Sequence, residues 1–267
     1  MNATSRRTFV KAGCAAVAAG FVFAENAGAA SSPPAGSRVP GTLIPIEGAL
    51  NVRDVGGYRT VEGATVRCGQ VYRSGTLAYL TPLGLSQLAA LGLKEVVDFR
   101  TAAELTSQGP DRLPAGVVPI STPIGETAPP HNTGAATTAA VDPALLDIYR
   151  GYVDNDSWRK GFGRTLQRIA SAAERPLTYH DSAGAHRSGW LTAVLLTLLG
   201  VDKDTVYAEY LRSNDALGGI YAYPEYLDEA FAEATRKYGS FTAFLVQGLE
   251  LSLLTILRIR TGMLTLA

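Results

Sequence analysis

Cysteine is almost missing from this chain, with only Cys14 and Cys68 among 267 residues. Net charge is missing too: 24 basic and 24 acidic side chains cancel. No global field therefore favours nucleic acid or an anionic membrane surface. Beyond the N-terminal segment, no stretch approaches the roughly 20 apolar residues that a membrane-spanning helix needs. What remains is an ordinary globular composition, 46% hydrophobic and 18% charged, long enough for one sizeable core.

The first 29 residues read as an address rather than as fold. Ser5-Arg6-Arg7-Thr8-Phe9-Val10-Lys11 places paired arginines ahead of a short apolar stretch, and Ala27-Gly28-Ala29 offers a small-residue cleavage site. The pattern predicts a twin-arginine export signal, a mature chain starting near Ala30 or Ser31, and a periplasmic or extracellular product without stable membrane insertion. Removal of the signal leaves Cys68 alone, which excludes an internal disulfide. Residues 30–40 form a Pro/Ser/Gly-rich linker, and 41–267 read as one domain.

Within that domain, strand-like and helix-like patterns alternate, predicting an α/β fold with a mostly parallel central sheet flanked by helices. Gln70–Arg73, Glu95–Phe99, Val117–Ile120 and Leu177–His180 are the strand candidates. Thr81-Pro82 opens a helix that Gly92 can stop. Helices are predicted at 142–153 and 157–174, and Trp190–Leu199 is a fully apolar helix. The last third, 202–263, reads as helices only, with Leu249–Leu257 apolar enough to be core. Residues 125–141, polar and proline-containing, predict a mobile surface loop and candidate lid.

Pro176–Leu199 carries the chemistry. A short strand ends at His180, Asp181-Ser182-Ala183-Gly184-Ala185-His186-Arg187 makes a turn of small residues, and Ser188-Gly189 leads into the apolar helix. Such a turn aims successive backbone N–H groups at one point, backed by the positive end of the helix dipole. Gly184 allows close approach or a left-handed angle. Arg187 offers the planar fork that grips phosphate oxygens.

The loop HDSAGAHRSG resembles the H-C-x-x-G-x-x-R-[ST]-G loop of the bacterial tyrosine and phosphoinositide phosphatases, agreeing at His180, Gly184, Arg187, Ser188 and Gly189. Asn51-Val52-Arg53-Asp54-Val55-Gly56-Gly57 is similar to that family's N-[FV]-R-D-[LV]-G-G motif. Tyr72-Arg73-Ser74-Gly75 is similar to its [FY]-R-S-[GA] segment, and Asp98-Phe99-Arg100 with Glu104 to its D-[LF]-R-x-x-x-E element. Tyr210–Asn214 and the stretch from Tyr238 to Arg258 complete the order. The resemblance implies a cysteine-phosphatase-like fold, phosphomonoester hydrolysis, and phosphorylated protein, lipid or small-molecule ligands, with no cofactor and no metal.

Two chemical roles depart from the pattern. Asp181 stands where the family has its nucleophilic cysteine, and Ala185-His186 replaces a Lys-Asp pair whose Asp is the family's general acid. The Asp181 carboxylate could accept the N–H groups meant for substrate and pair with Arg187, occupying the loop itself. His186 suits proton transfer near neutrality, or is a solvated loop side chain. His180 reads as orienting the loop, Asp54, Asp98 and Arg100 as buried polar supports, and Cys68 as a plain residue. A metal site at His180, Asp181 and His186 has no recognised ligand spacing.

Ser182, Ala183, Gly184, Ala185 and Ser188 would line the phosphate-binding loop, with Asp181, His186 and Arg187 carrying any catalysis. Three readings stay open. One is a phosphomonoesterase of altered mechanism; one is a module that binds phospho-ligands without turnover; one is an enzyme of another type using Asp181 as general base. The missing thiolate argues for retained anion binding with weak or absent turnover.

Overall fold

Short runs of β-branched and aromatic residues become the middle of the molecule. The computed structural model describes residues 39–125 and 140–265, all within one compact unit. Strands β1 (Arg53–Asp54), β3 (Val71–Ser74), β4 (Glu95–Asp98), β5 (Val118–Ser121) and β6 (Leu177–His180) form one sheet, ordered β1-β3-β6-β4-β5. From β3 to β5 the pairing is parallel, and only β1 runs antiparallel at the edge. A small second sheet pairs β2 (Thr65–Val66) with β7 (Leu264–Thr265).

The period of two sorts the strand residues between two cores. Val71, Val97, Leu177 and Tyr179 face the larger one, under the helices of the second half. Tyr72 and Val96 face the smaller one with Leu80 and Leu88, beneath helix α1 (Pro82–Ala89). Helix α1 starts as its sequence predicts: Thr81 accepts from the Gly84 N–H and Pro82 sits in the first turn. The other helices are α2 (Ala102–Gln108), α3 (Pro143–Asp154), α4 (Asp156–Ala170), α5 (Arg187–Leu199), α6 (Lys203–Leu217), α7 (Pro224–Tyr238), a short α8 (Phe241–Ala243) running into a π-helical turn, and α9 (Leu253–Met263). Helix α5 is buried along nearly its whole length and stops at Gly200, whose φ of 88° is left-handed. The α/β architecture with a mostly parallel sheet is thus the observed one.

Two expectations are corrected. Leu249–Leu257 is not core throughout: Leu249 and Leu251 are buried, whereas Leu253, Leu254 and Leu257 are 71%, 55% and 55% exposed. Ser252 caps a new helix by accepting from the Thr255 N–H, and that helix turns Ile259 and Met263 inward at a spacing of one turn. The last third, 202–263, is helical as expected, and β7 lies just beyond it, closing on β2. The helix predicted over 157–174 ends at Ala170. The export signal and most of the linker lie outside the described residues, as does the 125–141 loop except at its ends. Among the described residues, no single helix is long and apolar enough to cross a membrane.

Candidate functional site

Between the end of β6 and the start of α5, the loop folds around one carboxylate. Asp181 is 2% exposed, and its Oδ1 accepts from the N–H groups of Ala183 at 3.0 Å and Gly184 at 2.5 Å. Its Oδ2 accepts from the N–H and the hydroxyl of Ser188, at 3.0 and 3.1 Å. Burial works against this charge. The Arg187 guanidinium, the Ser188 and Gly184 N–H groups and the nearby His186 outweigh it and hold the carboxyl down to about 2. The carboxylate therefore fills the N–H nest, as the residue types in the loop suggest.

Its expected pairing with Arg187 is not what the structure shows. The Arg187 fork closes on Glu104, with Nη2 2.5 Å from Oε1 and Nη1 2.7 Å from Oε2. Nη1 also donates to the carbonyls of Phe99 and Ile124. Arg187 is buried at the site rather than standing open at its lip, and it acts on Asp181 through charge alone. Glu104 sits on the first turn of α2, where Thr101 and Glu104 form a reciprocal capping box. Burial would raise the Glu104 carboxyl, but Arg187 and the Ser182 hydroxyl bring it down to about 2. Ser182 donates to Glu104 at 2.5 Å and accepts from Gln108 at 2.9 Å. A carboxylate locked on an arginine is a poor base, so among the described residues Ser182 has no partner suited to activating it.

His180 is wholly buried, with Nε2 2.7 Å from Asp111 Oδ2. Burial disfavours its imidazolium, yet Asp111 raises its pKa above the ordinary histidine value. Asp98, Asp111 and His180 bring ligand atoms within 4.8 Å of one another. Arg100 lies on both acids, with Nη2 at 2.8 Å from each, so a guanidinium already provides the positive charge there. Asp54 supports the turn outside the loop, accepting from Gly56 and Gly69. Cys68 packs beside Gly56 and Gly57, in that same turn.

His186 is not a solvated loop side chain. It is 7% exposed, its Nδ1 is 3.2 Å from the Tyr149 hydroxyl, and its ring meets Tyr149 and Tyr226 edge-on. The Tyr149 hydroxyl is in turn 2.7 Å from that of Tyr210. Sequence reasoning missed Tyr149, Gln108 and Asp111, which reach the loop from α3, the end of α2 and the segment after it. No spacing in the sequence ties these residues to the loop. The other loop positions, Ala183 and Ala185, contribute backbone only.

The family described as "Tyrosine phosphatase family" matches residues 44–265. Triple specificity protein phosphatase PtpB of Mycobacterium tuberculosis is 32% identical over 199 residues, covering 64% of this chain and 69% of its own length. A tyrosine-protein phosphatase of Nostoc commune is 29% identical over 147 residues, covering 55% of this chain and 49% of its own. Among solved structures, the core catalytic domain of a PP-IP phosphatase from S. cerevisiae overlaps at 18% identity with a TM-score of 0.37, covering 72% of this chain and 87% of that one. With the match spanning nearly the whole described chain, the protein belongs to the tyrosine phosphatase family.

Proposed function

We propose that this chain binds phosphate esters at the 181–187 loop and hydrolyses them weakly or not at all. One observation carries the reading: the residue in the nucleophile position is a carboxylate, and it already accepts the N–H groups of Ala183, Gly184 and Ser188. Each unit of negative charge entering about 4 Å from it meets a repulsion of roughly 4 kcal/mol at an effective dielectric of about 20, and a phosphate dianion carries two. A ligand must therefore displace or outbid Asp181. Phosphoryl transfer to Asp181 is disfavoured because both of its oxygens are engaged, each by two donors. General-base chemistry is disfavoured as well, since a carboxyl held at about 2 is a weak proton acceptor near neutrality. The family's substrate class and the export pattern of Ser5–Lys11 together suggest a phosphorylated ligand met outside the cytoplasm.

The decisive assay is steady-state hydrolysis of an aryl phosphate by the native chain, Asp181→Cys and Arg187→Ala. The native chain is expected to show no turnover above background, and Asp181→Cys to gain it, because a thiolate there would sit among the same donors. Turnover by the native chain that disappears in both variants would overturn the binding-only reading.

A further inference from the structure

The loop's N–H groups converge only because something holds its carbonyls the other way. In a trans peptide the carbonyl of one residue and the N–H of the next point in opposite directions. Three successive carbonyls of the loop are held from one side. Asn51 Nδ2 donates to the carbonyls of Ala183 at 3.4 Å and Gly184 at 2.7 Å. Arg73 Nη2 donates to Gly184 at 2.6 Å and lies 3.5 Å from the Ala185 carbonyl. The N–H groups of Gly184, Ala185 and His186 are therefore turned to the opposite side. The first of them is seen there, on the Asp181 carboxylate.

We propose that Asn51 and Arg73 are positioning residues that fix the anion-facing orientation of the loop by holding the 183–185 carbonyls, and with it the affinity of the loop for phosphate. The inference rests on reading the loop as a phosphate site. Both reach the loop from its carbonyl side, through Asn51 Nδ2 and Arg73 Nη2, and not from the side to which the N–H groups turn.

The supports of this clamp are specific. Asn51 is held at a φ of 56°, a left-handed angle that asparagine tolerates better than most side chains. Gly184 has a φ of 73°, and a Cβ there would lie 2.6 Å from the Gly75 nitrogen and the Ser74 carbonyl carbon. Beneath them, Glu209 is shared: Oε1 is 3.2 Å from Arg73 and Oε2 is 3.2 Å from Arg53, with all three side chains fully buried. Arg53 Nε and Nη1 find no hydrogen-bond partner among the described residues. Two guanidiniums on one carboxylate leave a positive charge under the loop, on the side from which Arg73 grips it. Burial, partly offset by Glu209, lowers the Arg53 pKa to about 10.

The test has two readouts. Amide hydrogen exchange is measured in the full chain and in its Asn51→Ala, Arg73→Met and Arg73→Lys variants. The Gly184 N–H is expected to exchange about tenfold faster in the variants, while the β6 amides keep their native rates. Inorganic phosphate binding is then measured by calorimetry in Asp181→Asn, where no carboxylate competes, alone and combined with each change. Affinity is expected to fall about tenfold, with Arg73→Lys as impaired as Arg73→Met in geometry but less so in charge. Unchanged Gly184 exchange and unchanged phosphate affinity in folded Asn51→Ala, the mildest variant, would overturn the proposal. If Asp181→Asn binds no phosphate while Gly184 exchange still rises in the variants, the clamp stands and the anion-binding reading falls.

Discussion

Glu104 and Asp181 are the two carboxylates on which the site turns, and Arg187 holds both at about 2, Glu104 by direct hydrogen bonds and Asp181 by its charge together with the loop N–H groups. For both, the folded state lowers the pKa, so the unfolded chain binds protons more readily and stability is lost as pH falls. The window runs from about 4.5, the ordinary value for Glu104, down to about 2. Glu104 alone accounts for roughly 3 kcal/mol across it, at about 1.4 kcal/mol for each tenfold change in proton affinity. Denaturant unfolding between pH 7 and 2.5 is expected to show a steep loss of stability for the native chain and a shallower one for Glu104→Gln. That variant is also expected to be about 3–5 kcal/mol less stable at neutral pH, because Arg187 stays buried without its carboxylate. An equally steep acid limb in Glu104→Gln would show that the pair contributes little.

Among elements, what the sequence made legible had a local cause. The parallel strands announce themselves as runs such as Leu177-Thr178-Tyr179, and the turn after His180 as small residues ahead of an apolar helix. Asp181's capture of the nest followed from its chemistry, since a carboxylate among N–H donors accepts from them. The partner of Arg187 was not legible in that way: Glu104 belongs to a recognisable motif, but its reach across 83 residues exists only after folding. Asp111 and Tyr149 belong to stretches without a motif, and only topology brings them to the loop.

The difference at Leu249–Leu257 has another origin. The closely spaced leucines of 249–257 carry no clear helical phase, and the break at Ser252 resets which face of α9 points inward. Two substitutions on that helix separate the faces. Leu254→Ser on the open side is expected to shift stability by less than about 0.5 kcal/mol. Ile259→Ala on the buried side should cost about 2–5 kcal/mol. Similar losses for both, by chemical denaturation, would mean that the leucine face is covered in solution.

For the molecule as a whole, the sheet and α5 form a rigid frame, and the loop between them is braced from below by Arg73 and Asn51 and from the side by α2. We propose from the Ser5–Lys11 pattern that the chain takes an export route for folded proteins. Replacing Arg6 and Arg7 by lysine is expected to keep the protein in the cytoplasmic fraction, and undiminished export would refute the twin-arginine reading.

The carboxylate at the floor of the loop has one more consequence, and it concerns durability. A thiolate stabilised by backbone donors is the kind of group that peroxide converts to sulfenic and then sulfinic acid. Asp181 has no such chemistry, and Cys68 packs in a separate turn beside Gly56 and Gly57. Oxidants and alkylating agents that silence a cysteine-dependent site would find no thiol to attack in this loop, so the anion binding proposed for it would need no reducing surroundings to persist.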